Sequence, residues 1–93
     1  MSAIVSLYSK KNNEINRFLN SYSTNKQLNK STLKWTKEYK NPIEVADIIG
    51  VFIDNSEKYS INMWISLDEN FFINVTNSNA DKIIRYIFER YPY

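Results

Sequence analysis

Apolar and polar residues alternate along "NMWISLDENFFINVT", residues 62–76. Met63, Ile65 and Leu67 mark one side of a first arm, and Phe71, Ile73 and Val75 mark one side of a second. A period of two is the signature of strands with one buried face. Between the arms, "DEN" makes a short turn in which Asn70 can take a positive φ. With a three-residue loop, Leu67 faces Phe71, Ile65 faces Ile73 and Met63 faces Val75. The same parity sends Trp64 and Phe72 to the opposite face, among Asn62, Ser66, Asn74 and Thr76. Trp64 then lies beside Asn74, with Phe72 diagonal to it and within aromatic reach.

The period changes elsewhere. Ile15, Phe18, Leu19 and Tyr22 fall at i, i+3, i+4 and i+7, which predicts an amphipathic helix with Asn12 or Asn13 at its start. Ala80, Ile83, Ile84, Ile87, Phe88 and Tyr91 predict a last helix, led by a Ser/Asn cap and stopped by Pro92. Asp81 sits near its positive end. Between them, "NPIEVADIIGVFIDN" opens with Asn41 as a cap and Pro42 at a position where its missing N–H costs nothing. Val45, Ile48, Ile49 and Phe52 keep helical spacing through Gly50, so one helix to about Asp54 is expected; a shorter helix followed by a strand over 51–54 is the alternative. The β-rich residues 2–8 read as a first strand. "TNKQLNK" reads as a polar loop. "TLKWTKEY" alternates, with Leu33, Trp35 and Tyr39 on one side and Lys34, Thr36 and Glu38 on the other; Lys37 interrupts its apolar side and marks an edge strand.

The predicted order is β-α-β-α-β-β-α over residues 1–93. That is a single α+β domain: a small, mainly antiparallel four-stranded sheet packed with helices. The tail "INMWISLDENFFINVTNSNADKIIRYIFERYPY" resembles the ends of short uncharacterised bacterial proteins from low-GC Gram-positive organisms. The resemblance covers the last third of the chain and implies no activity, cofactor or site.

Composition narrows the chemistry. The 93 residues include 14 aromatics but neither cysteine nor histidine. Disulfide scaffolds, Cys/His zinc sites, thiol nucleophiles and histidine bases are therefore excluded. No run approaches the ~20 apolar residues of a membrane-spanning helix, and "MSAIVSLYSKK" lacks the layout of a signal peptide, so a cytoplasmic protein is expected. The sequons at Asn29 and Asn74 then carry no meaning. With one glycine in the chain, turns that need positive φ fall to the 13 asparagines.

Charge is uneven. Residues 1–40 carry a net +6 and residues 41–93 a net −4, within a total of +2. The basic half raises nucleic acid as a partner, with Lys34, Trp35, Lys37 and Lys40 as its candidate patch. Yet Lys34 and Trp35 point to opposite strand faces, and only Lys37 shares a side with Trp35 and Tyr39. Binding there is expected to be weak. Glu44 and Asp47 suit the dipole of a helix start, Asp68 and Glu69 suit a turn, and Asp54 and Glu57 flank a loop. None has the spacing of a metal site, and a carboxylate-dependent enzyme stays without a motif. Arg85 and Arg90 near the final helix end, with Tyr93, likewise suit its dipole better than an anionic ligand.

Trp64 and Phe72 admit two accounts. A helix covers the second sheet face and makes three layers, or the face is open and the pair is an interface with Asn62 and Asn74 around it. Soluble monomers seldom leave aromatic patches idle. The expectation is therefore a non-catalytic interaction module without cofactor, metal or membrane partner, a homodimer through that face or a binder of another protein.

Overall fold

The computed structural model describes residues 3–22, 32–67 and 71–91. The expected order is present: β1 (Ala3–Ser9), α1 (Glu14–Tyr22), β2 (Lys34–Tyr39), α2 (Pro42–Asp54), β3 (Ile61–Ser66), β4 (Ile73–Asn74) and α3 (Ala80–Arg90). The fold is α+β, and the four strands form one antiparallel sheet in the order β2-β1-β3-β4. The expected polar loop, the "DEN" turn with Asp68, Glu69 and Asn70, and Pro92 and Tyr93 lie outside the described residues.

Local chemistry accounts for the elements. Asn13 enters α1 with φ 72°, the left-handed conformation that asparagine tolerates better than most residues, and its carbonyl accepts from Arg17 N at 2.9 Å. Asn41 caps α2, its side-chain oxygen accepting from Ile43 N at 3.1 Å, with Pro42 next. α2 runs unbroken through Gly50 to Asp54, so residues 51–54 continue the helix. The start of α3 differs from expectation. Asn79 occupies the cap position, but its side chain turns back, accepting from Thr76 N and donating to Asn74 O, each at 2.8 Å. It ties the helix to β4 instead of capping it.

Ala3, Val5 and Leu7 of β1, Met63 and Ile65 of β3, and Tyr39 of β2 share one face by register and are buried. Against them pack Ile15, Phe18 and Leu19 of α1 and Val45, Ile48, Ile49 and Phe52 of α2, forming a continuous core. Phe18 is its hub: its ring meets Phe52 and Tyr59 edge-on and stacks with Tyr22, with centroids 5.9–6.4 Å apart. α3 docks mainly on α2, through Ala80, Ile83 and Ile87. Ile84 is only half-buried, and Phe88, expected inside, is exposed; it lies at the margin of the stripe, about 80° round the helix from Ala80 at 100° per residue.

Candidate functional site: the open face of the sheet

The two central strands fix what stands on the second face. Register pairs Ser6 with Thr36 on one side and with Trp64 on the other, and Trp64 in turn with Asn74. One row beyond, Tyr8 lies between Lys34 and Asn62. In the opposite direction, Ile4 lies between Glu38 and Ser66, and Phe72 follows Ser66 by continuation of the β3–β4 ladder. The hairpin register is the expected one: Ile65 faces Ile73, Trp64 faces Asn74, and Val75 N donates to Met63 O at 2.9 Å.

Tyr8, Trp64 and Phe72 therefore run diagonally across three strands. They line a shallow concavity of about 420 Å³ and are 39%, 37% and 46% exposed. Beneath them Ser6 and Ser66 are buried, with the Ser6 and Thr36 hydroxyls 3.2 Å apart. No helix among the described residues covers this face, and within them the sheet and its helices make two layers. Asn74 is held firmly at the margin, its Nδ2 donating to Met63 O at 3.0 Å. Asn62 is exposed beside Tyr8. Among the described residues from Asn62 to Thr76, none on this face is charged. Its described charges are Lys34, whose Nζ lies 5.6 Å from the Tyr8 ring centroid, and Glu38 at the far end of the same strand.

The basic patch is not assembled as one surface. Lys34 is on the open face. Trp35 and Lys37 are on the helix side, where Trp35 is half-buried and Lys37 Nζ lies 4.9 Å from the Tyr39 ring centroid. Lys40 follows the strand and is exposed. Phe71, expected in the buried row, is 63% exposed, because the β3–β4 ladder spans only two residues and ends before it. It instead lines an apolar groove of about 320 Å³ with Leu67, Ile73, Lys82, Ile83 and Tyr86, between the hairpin and α3.

Titratable groups gather elsewhere, where α1, β2 and the start of α2 meet. Burial, with smaller contributions from Tyr22 and Glu44, pushes the Tyr39 phenol well above its ordinary value. Tyr22 is raised by burial, then by Asp47 and Glu44. Both phenols are protonated at neutral pH. No three Asp, Glu, His or Cys side chains converge as metal ligands among the described residues, and no described helix is long and apolar enough to cross a membrane.

No protein-family model matches the chain, and no curated protein or solved structure matches it. Its chemistry rests on the residues themselves. Tyr8 is the member of the aromatic face that local patterning missed. In "AIVSLYS" it reads as one more residue of a β-rich run; only pairing with β3 sets it diagonal to Trp64.

Proposed function

We propose that this chain is a non-catalytic interaction module of the cytoplasm that self-associates through the open sheet face. The observation that carries it is the exposed diagonal of Tyr8, Trp64 and Phe72 over buried Ser6 and Ser66. Interface cores are enriched in aromatics and poor in charge, as this face is. Twofold symmetry lets one such patch serve both copies. Strands ~4.8 Å apart and ~3.3 Å per residue give β1, β2, β3 and the two-residue β4 together on the order of 300 Å² of flat sheet. That is small against the ~800 Å² per partner of a standard interface, so association in the micromolar range or weaker is expected.

Sedimentation up to about millimolar concentration tests it. The wild type should show a reversible dimer, and Trp64→Ser should raise the dissociation constant about thirtyfold or more, as truncating a hot spot costs ~2 kcal/mol. A wild type that stays monomeric removes the proposal.

A second reading is favoured by Lys34 lying over Tyr8 on the same face as Trp64 and Phe72. Single-stranded nucleic acid binds such combinations of stacking rings and cations. It replaces the patch of Lys34, Trp35, Lys37 and Lys40 by Tyr8, Trp64, Phe72 and Lys34. Quenching of Trp64 fluorescence by an oligonucleotide, lost steeply as salt rises, would favour it over self-association.

A further inference from the structure

We infer that the second copy lies end for end on the first, so that Lys34 of each meets Glu38 of the other across the open face. This rests on the self-association proposed above and adds its geometry.

The face has a basic end and an acidic one. Lys34 stands beside Tyr8 at one end of β2, and Glu38 stands beside Ile4 at the other. Lys10 and Lys11 reinforce the first end, since they border a hollow of about 360 Å³ that also takes in Asn62, the neighbour of Tyr8. Glu38 is exposed and makes no ion pair among the described residues.

Two copies stacked face to face have a twofold axis in the plane of their contact. With the axis along the strands, β2 of one copy lies over β4 of the other. Glu38 then meets the ring of Phe72, and Lys34 meets Thr76, by continuation of the ladder. A carboxylate pressed on the negative face of an aromatic ring, without a partner, is unfavourable. With the axis across the strands, each strand lies over its own copy in reverse. The middle row of Thr36, Ser6, Trp64 and Asn74 stays in register, and the two ends exchange. Lys34 then lies over Glu38 on both sides of the axis, and Trp64 meets Trp64, which can settle into an offset stack. Stacked sheets are rotated by ~30°, an offset the four-carbon stem of lysine can span. Such rim pairs fix orientation more than they add affinity.

Sedimentation of three variants tests the arrangement, with thermal melts to confirm that each is folded. Lys34→Glu places like charges at both pairs and should weaken the dimer about tenfold, as should Glu38→Lys. The double variant K34E/E38K restores both pairs and should return to within about threefold of the wild type. A dimeric wild type with unaffected single variants, or a double variant no better than the singles, overturns the arrangement while the module stands. A monomeric wild type removes the module itself. A second measurement does not depend on the charges. The chain has no cysteine, so Thr36→Cys gives a single thiol. Across-strand pairing sets position 36 over itself at a sheet separation of ~10 Å, which a short bis-maleimide bridges. Along-strand pairing sets it over position 74. Cross-linking of T36C with itself is the expected result; cross-linking of T36C only to Asn74→Cys overturns the inference.

Discussion

Met63 and Trp64 are consecutive in β3 yet belong to different environments. Met63 is fully buried against the helices, and Trp64 is more than one-third exposed on the open face, over Ser6. Under the self-association proposed above, the two separate folding from association. Met63→Ala removes core volume and should cost about 2–5 kcal/mol of stability. Trp64→Ser should leave the denaturation midpoint nearly unchanged while it weakens the dimer. Urea unfolding at a concentration where the wild type is monomeric makes the comparison. A collapse of stability in Trp64→Ser would mean that the ring supports the fold.

The register of α3 is tested by a similar pair. Ile87 is fully buried, while Phe88 is about half exposed. Ile87→Ala should lower stability by about 2–5 kcal/mol and Phe88→Ser by no more than about 0.5 kcal/mol. A reversed order in the two midpoints would show that the helix is turned the other way.

Gly50 offers a gain. It lies within α2, its φ is not positive, and a Cβ built on it meets nothing within 4 Å. Gly50→Ala should raise stability by about 0.5–1 kcal/mol, because alanine costs less chain entropy in a helix. A rise in the thermal midpoint with an unchanged circular dichroism spectrum is the expected readout.

Tyr39 and Tyr22 set the alkaline limit. The folded chain holds both phenol protons above the ordinary value of 10, chiefly through burial. The unfolded chain releases them near that value. Stability from these groups is thus level below pH 10 and falls as pH rises through and beyond it. Urea midpoints at a series of alkaline pH values should show that decline, and Tyr39→Phe should make it shallower.

The helices and the hairpin were legible because each repeats a local period: Ile15, Phe18, Leu19 and Tyr22 in one case, Ile65 against Ile73 in the other. The cap at Asn41 and the passage of α2 through Gly50 were equally local. What escaped is what depends on distant partners. Parity put Trp64 and Phe72 on a second face, but only the placement of all three helices shows that none among the described residues covers it. Tyr8 joined the site through pairing across some fifty residues, Tyr8 with Asn62, which no pattern in β1 announces. Phe71 and Phe88 were misplaced for a related reason. An apolar residue of the right period is buried only if something lies above it, and at the end of a two-residue ladder and the margin of α3 nothing does.

The position of β1 also bears on how the chain reaches this structure. It is first in sequence and central in the sheet, and Ile4 pairs with both Glu38 and Ser66. Of the three strand pairings only β3 with β4 is local in sequence; β1 reaches β2 across a connection that contains α1, and β3 across one that contains α1, β2 and α2. The sheet therefore closes large loops before it gains its contacts, and α1 and α2 have only transient support until then. Folding is therefore expected at the intermediate pace of mixed α and β domains, slower than helix formation alone.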